Sequence, residues 1–407
     1  MNKLSRNERL TVILKLLSEH KTLSNAQLAK LLQVTPKTIR CDLVYLESEQ
    51  QVIRTHGGVQ ISAQFDADKY CLDSLLSQLT SSKTLSGLIS QTPINNRVNN
   101  RVNKMNNKVF ILGSFNVDIV STLERFPQPG ETLHSLSNNI GAGGKGANQA
   151  YAAAKAGASV TFMTKIGKDQ FSHFAKEHLA GTGIEKTIIV ESDVSPTGNA
   201  LIYVCEATGE NMIAVHSGAN TEVTQDEVLQ AEQHIIGANL LLTQLENNID
   251  AIKQSMQIAH SHGVKVVLNP APYHDDTPSL LKYVDVITPN ETEASLMTGI
   301  EVSSLNSAKL AAKKINQMGV NTVVITRGAQ GVLVYENERF SEVAAIKCVV
   351  TDTTGAGDAF NGALVAQMVT GANLFEAAKY ANAYASLAVE REGAANMPDA
   401  SLVAARL

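Results

Sequence analysis

The run Asp352-Thr353-Thr354-Gly355-Ala356-Gly357-Asp358 holds the residues best suited to chemistry, and Ala359-Phe360-Asn361-Gly362-Ala363-Leu364 continues it. Glycines turn the backbone where a Cβ would clash, and the small apolar residues that follow suit a helix. The first amides of a helix lack partners within it and carry the positive end of its dipole. Such a place binds phosphate. Asp358 would stand in the mouth of that anion site. A carboxylate there can take the proton of an attacking hydroxyl while the amides hold the transferring phosphoryl group. The same residues also suit an ordinary glycine turn whose aspartate only favours the helix dipole.

A second glycine cluster, Gly141-Ala142-Gly143-Gly144-Lys145-Gly146-Ala147-Asn148, contains a literal GxGxxG. The dinucleotide motif must directly follow a buried strand. Glu131, Thr132, His134, Asn138 and Asn139 make residues 131–139 too polar for one. We therefore read these glycines as letting the backbone approach a small polar ligand, with Lys145 and Asn148 adding donors. No GxxxxGK[ST] occurs, so a P-loop is absent.

The elements that must position these residues alternate. Short apolar runs at Val109–Gly113, Val264–Leu268, Val284–Ile287 and Thr322–Ile325 predict strands, with helices between them such as 251–262 and 304–318. Strands alternating with helices predict a three-layer α/β/α arrangement around a mostly parallel sheet. Residues 199–206 and 211–216 read instead as a hairpin turned at Ala207-Thr208-Gly209-Glu210, a candidate small β lid.

Before this α/β segment the texture differs. Residues 1–62 predict three short helices and a hairpin. Ser5-Arg6-Asn7-Glu8 and Ser24-Asn25-Ala26-Gln27 read as capping boxes. Leu10, Ile13, Leu14 and Leu17 repeat at helical spacing. Thr35-Pro36 is an N-cap followed by proline at the first helical position. Ile39, Leu43 and Leu46 then form one stripe, with Lys37, Arg40 and Cys41 pointing elsewhere. His56-Gly57-Gly58 suits the turn of a small wing. Residues 63–107 are read as a linker: Leu72, Leu75, Leu76 and Leu79 suit a turn or two of helix, and Asn and Ser dominate thereafter.

The 407 residues fit two or three domains, and 44% hydrophobic with 18% charged residues fits a globular protein with a large core. The net charge of −5 is unevenly spread: residues 1–62 carry nine Lys/Arg against five Asp/Glu, a net +4, which leaves −9 for the remainder. A basic head on an acidic body predicts that only the head meets DNA. Cys41, Cys71, Cys205 and Cys348 lie far apart without zinc spacing, which fits reduced thiols in a cytoplasmic protein. No apolar run approaches a membrane span.

Residues 108–407 resemble the ribokinase family of carbohydrate kinases. Both family signatures are present, Gly143-Gly144-Lys145-Gly146-Ala147-Asn148-Gln149-Ala150 and Asp352 to Leu364, about 210 residues apart. Between them lie Gly113-Ser114-Phe115-Asn116-Val117-Asp118, Asn269-Pro270-Ala271-Pro272 and Thr288-Pro289-Asn290-Glu291-Thr292-Glu293-Ala294. The resemblance implies a ribokinase-like fold and phosphorylation of a sugar by ATP. It implies Asp358 as the general base and the amides of Gly355, Ala356 and Gly357 as the anion hole. Sugar hydroxyls would be held by Asn116, Asp118, Gly144, Lys145, Asn148 and Glu246. Carboxylates and amides suit a polyol, and a missing hydroxyl would leave them unpaired. Glu246 read alone also fits a strand end in solvent, and Asp118, taken on the first strand, a strand-end charge.

By the same resemblance Asn290 and Glu293 are the element for Mg²⁺ and phosphate, which fits an ion that keeps several waters. A helix N-cap by Asn290 is compatible with that role. Thr326, Arg327, Gly328, Ala329, Gln330 and Gly331 resemble the nucleotide-binding loop. Asn382 stands where the family often has His on the adenine side. Asp352, Thr354, Ala388, Arg391 and Gly393 match positions that bind a monovalent cation, usually K⁺, and the last cation position near Asn396 and Met397 is left open. Relatives acting on 2-deoxyribose tend to have Met where Asn116 stands, so Asn116 favours ribose.

Residues 1–62 resemble the winged helix-turn-helix of DeoR-type repressors in Thr38-Ile39-Arg40-Cys41-Asp42-Leu43, Leu46-Glu47 and Arg54-Thr55-His56-Gly57-Gly58. Cys41 departs from a usual second Arg. The resemblance implies a recognition helix over 36–48 led by Lys37, Thr38 and Arg40, with Arg54 and His56 on phosphates from the wing. A helical bundle for dimer contacts is the alternative. The whole then predicts an ATP-dependent, Mg²⁺- and K⁺-assisted pentose kinase fused to a DNA-binding head, working as a homodimer. Three alternatives stand beside it: a kinase for another sugar such as 2-deoxyribose, a regulator whose kinase fold only senses sugar, and a vestigial head with the kinase starting near Met105.

Overall fold

A computed structural model describes residues 107–407 continuously and, before them, residues 6, 9, 10, 12–14, 17, 22, 23, 28, 29, 32, 34–49, 52–55 and 58–61. The chain separates into two compact units, Met1–Asn103 and Lys104–Leu407. The capping residues Ser5 and Glu8, and the proposed box Ser24–Gln27, the helical turns at Leu72–Leu79, the stretch 62–106, and His56 and Gly57 lie outside the described residues.

In the larger unit, nine strands form one sheet. Their spatial order is Arg339–Val343, Val332–Glu336, Thr322–Thr326, Val286–Ile287, Lys265–Leu268, Leu240–Thr243, Lys108–Leu112, Ser159–Gly167 and Lys186–Ser192. From Thr322–Thr326 to Lys186–Ser192 every pairing is parallel. The two strands at the other edge are antiparallel. Both faces are covered, which is why these strands read as continuous apolar runs. Side chains alternate along each strand. Val109 and Ile111 join one apolar layer with Ala150, Ala363 and Ala381, on the helices Lys145–Lys155, Ala356–Met368 and Leu374–Ala388. Phe110 and Leu112 join the other with Ile252 and Ala312, on the helices Ile249–Ser261 and Leu305–Gln317. The fold expected from the alternating pattern is therefore present.

A second sheet of four strands runs Asn211–His216, Gly198–Cys205, Asn116–Leu123 and Ser137–Gly143. The expected hairpin is its outer pair, with Asn211 opposite Val204 and His216 opposite Asn199. Two of its strands had no apolar signature. Ser137–Gly143 lies partly within the stretch read as too polar for a strand, and it exposes Ser137, Asn138, Asn139 and Ile140. A strand thus does run into the glycine cluster, but its first four residues are exposed and it belongs to the small antiparallel edge of the second sheet, not to the buried parallel sheet that a dinucleotide turn needs. Asp118 lies on Asn116–Leu123, not on the first strand Lys108–Leu112. It stands opposite Gly141 and Ala200, inside the small sheet rather than at the end of the large one.

In the smaller unit, Thr35 caps the helix Pro36–Ser48, accepting from the Thr38 amide at 3.2 Å, with proline in the first turn. Ile39, Leu43 and Leu46 are fully buried against Leu10, Ile13, Leu14, Leu17, Leu28, Val52 and Val59. Lys37, Arg40 and Cys41 are exposed on the other side of that helix. Val52–Thr55 and Gly58–Ile61 pair as the wing, and Thr22–Leu23 adds a third strand. Asp42 is buried beneath the helix and accepts from both Nε (2.9 Å) and one terminal nitrogen (3.2 Å) of Arg9. It ties the helix Pro36–Ser48 to the first helical segment.

Candidate active site

The site lies where the parallel strands end at their carboxyl edge, the usual place for ligands in such sheets. Gly355 is the N-cap of the helix Ala356–Met368 with φ 76°. A Cβ there would meet the Ala394 Cα and carbonyl oxygen at 2.9 Å, so both conformation and space demand glycine. The Ala356 amide donates back to the Thr353 carbonyl at 3.2 Å. The Gly357 and Asp358 amides, in the first turn, have no acceptor within the helix. A Cβ on Gly357 would meet nothing within 4 Å, so this end of the helix opens onto free space.

Asp358 is 7% exposed and is clamped by two consecutive residues of another helix. Asn148 Nδ2 donates to Oδ2 at 3.1 Å, and Gln149 Nε2 donates to Oδ1 at 2.9 Å. Small residues bring the two helices this close: a Cβ on Gly362 would lie 2.5 Å from Ala152 Cβ and from the Gln149 carbonyl oxygen. Burial pushes the Asp358 carboxyl above its usual range, and the charge of Lys145 with the two amide donors holds it back.

The start of the helix Lys145–Lys155 is built just as tightly. Gly113 and Gly146 cross so that a Cβ on either would come within 2.4 Å of the other's backbone, and Gly144 adopts φ 90°. Glu246 accepts from the Lys145 amide at 3.0 Å and from the Ser114 hydroxyl. Its carboxylate therefore occupies the N-terminus of this second helix, and the strand-end-in-solvent reading of Glu246 does not fit. Asn220 fixes the first strand of the small sheet: it accepts from the Phe115 amide at 2.9 Å, and its Nδ2 reaches Asn116 Oδ1 at 2.8 Å. The Asn116 oxygen is thus satisfied within the protein, and its amide nitrogen is the group left to serve a ligand. Asp118 lies flush against Gly143, where a Cβ would fall 2.2 Å from a carboxylate oxygen.

These groups share one electrostatic field. Burial, then the charges of Glu246 and Asp358, raise Asp118 to about 6, against the pull of Lys145. Burial acts to lower the Lys145 ammonium, but Asp358, Glu246, Glu293 and Asp118 together outweigh it and raise its pKa. One ammonium thus serves four carboxylates. Gly144, Lys145, Asn148, Asn116, Asp118, Glu246 and Asp358 all fall in this cluster.

The nucleotide-side residues adjoin it. Asn290 and Glu293 form a reciprocal capping box on the helix Glu291–Thr298, each backbone amide donating to the other's side chain at 2.9 and 2.8 Å. Burial raises Glu293 above the ordinary carboxylate range, with the Asn290 amide opposing. A buried carboxylate in that state gains from a cation, so the pair fits an outer-sphere role toward Mg²⁺. Among the described residues no group of three or more His, Cys, Asp or Glu is placed to hold a metal ion. Thr326 bridges Asn290, and Gly328–Gln330 turns the chain into the antiparallel edge. Gly331 abuts Val343 and Ala344, and Asn382 donates to the Ala344 carbonyl at 2.9 Å, so Asn382 stands beside this loop. Within this loop the Arg327 guanidinium is buried, bonded to Gln330 and 3.7 Å from Glu291.

Asp352 gathers the proposed cation residues. It accepts from the Thr354 amide at 2.8 Å and the Gly393 amide at 3.0 Å, while its own amide reaches the Val389 carbonyl at 3.1 Å. The Arg391 amide bonds the Ala388 carbonyl at 3.0 Å. Two carbonyl-rich turns meet beside the glycine helix, and oxygen donors of this kind suit a hard cation. Sequence reasoning passed over Gln149, Gln244, Asn269, Asn361 and Asn220. Gln149, Asn269 and Asn361 were inside quoted motifs, but neutral amides carry no signal of their own until their partners are known.

The pfkB family carbohydrate kinase profile matches residues 106–400, nearly the whole unit that holds this site. The chain belongs to the pfkB family of carbohydrate kinases. A ribokinase of Staphylococcus aureus (strain COL) is 43% identical over 290 residues, covering 71% of this chain and 95% of that protein. A deoxyribokinase of Salmonella typhi is 32% identical over 286 residues, covering 70% and 93%. The structure of Arabidopsis thaliana ribokinase complexed with ribose and ATP superposes with a TM-score of 0.67 at 31% identity, covering 73% of this chain and 97% of that one. This pfkB unit is thus a ribokinase-type sugar kinase. A DeoR-like helix-turn-helix domain matches residues 9–65 ahead of it. Among the described residues no helix is long and apolar enough to cross a membrane.

Proposed function

We propose that this pfkB-family kinase transfers the γ-phosphoryl group of ATP to O5 of D-ribose, giving ribose 5-phosphate and ADP. The observation that carries the reading is Asp358, buried, clamped through both oxygens, and seated at the open N-terminus of a glycine-capped helix. Each carboxylate oxygen keeps a lone pair after its one bond. Asp358 takes the O5 proton as the new O5–P bond forms and the bond to the ADP oxygen breaks. The free first-turn amides, those of Gly357 and Asp358, hold the charge on the moving phosphoryl group, with the Ala356 amide turned to the Thr353 carbonyl. Asn116, Asp118, Lys145, Asn148 and Glu246 hold the sugar hydroxyls, and the hairpin 199–216 helps close over them. Asn290 and Glu293 would hold Mg²⁺ through water, and the ion when bound would neutralise phosphate charge. Asp352, Thr354, Ala388, Arg391 and Gly393 would hold K⁺ and stiffen the turn that carries the anion site. Asn116 with its oxygen already engaged presents a donor suited to a 2-hydroxyl, which supports ribose over 2-deoxyribose.

The match to a DeoR-like helix-turn-helix domain supports DNA binding by the head, through Lys37, Thr38 and Arg40 with Arg54 and His56 on phosphates, in a homodimer that reads paired half-sites. Sugar and nucleotide occupancy would then alter operator affinity, and coupling of that kind must be reciprocal. The deciding assay follows ATP consumption by the purified chain with ribose, 2-deoxyribose, fructose and nucleosides, with and without K⁺. The highest kcat/KM is expected for ribose. A higher value for 2-deoxyribose overturns the substrate, and no turnover of any sugar leaves only a regulator.

A further inference from the structure

We propose that Gln149 is a positioning residue that aims the Asp358 carboxylate, acting from the centre of a closed ring of buried amides. The proposal rests on the reading of Asp358 as the base. Gln149 is completely buried, whereas Asn148 and Asp358 retain a little exposure, so Gln149 reaches the substrate only through Asp358. Both hydrogens of its Nε2 are used, one on Asp358 Oδ1 at 2.9 Å and one on Asn269 Oδ1 at 3.0 Å. Its Oε1 accepts from Gln244 Nε2 at 2.6 Å.

The direction of this amide is forced. An ionised carboxylate only accepts, so nitrogen must face Asp358. Asn269 spends its own nitrogen on the Thr288 carbonyl at 3.0 Å, so its oxygen must face Gln149. The Thr288 hydroxyl then donates to Asn361 Oδ1 at 2.6 Å, and Asn361 Nδ2 donates to the Gly357 carbonyl at 2.9 Å. Gly357 precedes Asp358, so the ring closes. It joins two helices and the turns after two strands, and every member has one orientation. The donor from Gln149, with that from Asn148, also favours the ionised form of Asp358 against its desolvation. Without it the carboxylate is held only through Oδ2 by Asn148 and has a higher proton affinity.

The test compares Gln149→Met, Gln149→Glu and Asp358→Asn with the parent full-length chain. It measures kcat, the KM for ribose and ATP, Tm, and the pH profile of kcat. For Gln149→Met we expect kcat to fall about 10–100-fold, both KM values to stay within about threefold, and the acid limb of kcat to move up by about one pH unit. Gln149→Glu, similar in size, should move the limb further because two adjacent carboxyls share a proton. It is judged by the same criteria if Gln149→Met does not fold. A parental kcat and pH profile in a folded Gln149 variant, with Asp358→Asn inactive, overturns the role of Gln149 and leaves the base intact. A lower Tm with an unmoved pH profile also overturns it, since a merely structural residue would do that. An active Asp358→Asn removes the base reading and this proposal together.

Discussion

Sugar affinity should depend on pH through Asp118. Its carboxylate is buried beside Glu246 and Asp358 and titrates near 6, with only Lys145 opposing. In the proposed role the ionised form accepts sugar hydroxyls and protonation removes that acceptor, so affinity should weaken as pH falls through about 6. For one titrating group the apparent Kd scales as 1 + 10^(pKa − pH), so Kd should rise about tenfold between pH 7 and pH 5. A carboxylate at its ordinary value would change Kd by roughly a tenth over the same range. The unliganded protein should show the opposite trend from this group: a raised pKa makes the folded state hold its proton, so that stability contribution is present at low pH and lost as pH rises through about 6. Titration calorimetry of ribose without ATP isolates binding from chemistry. Asp118→Asn should bind more weakly at pH 7 and lose most of the slope. A parental Kd that is flat from pH 7 to pH 5, or an Asp118→Asn slope equal to the parent's, refutes the reasoning.

Three further outcomes follow from particular contacts. Gly362→Ala forces a Cβ to 2.5 Å from Ala152 and Gln149, so the helices must part; stability should fall by about 1–3 kcal/mol and kcat by about 100-fold, read by thermal unfolding and steady-state rates. Asn116→Leu should cut kcat/KM for ribose about 10–100-fold while 2-deoxyribose changes by only about threefold, which a side-by-side substrate comparison reads directly. Asp352→Ala loses the bonds to the Thr354 and Gly393 amides; its rate should no longer respond to K⁺ and should match that of the K⁺-free parent.

Much of the catalytic unit was legible because its chemistry is local. A buried parallel strand such as Lys108–Leu112 is apolar on both faces and shows as a run. Gly355 must be glycine for reasons of its own φ and of Ala394, so the turn is written in one short segment. The small sheet was half hidden. Its strands Asn116–Leu123 and Ser137–Gly143 leave many residues partly or fully exposed, so no run of apolar residues announces them. Asp118 was accordingly placed on the wrong strand. Arg327 sits in the loop read as nucleotide-binding, but its own guanidinium is buried beside the half-buried Glu291 and bonded to Gln330, a pairing that spacing does not reveal. Gln149, Asn269 and Asn361 were unreadable for a related reason. Their meaning lies in which amide end faces which neighbour, and those neighbours are up to 209 residues apart.

The central claim is that one carboxylate deprotonates the sugar. Single-turnover transfer from ATP to ribose by Asp358→Asn, with ribose affinity measured on the same preparation, tests it most directly. The account predicts ribose binding within about threefold of the parent and transfer slowed by about 100- to 10,000-fold. Transfer within about tenfold of the parental rate would contradict it.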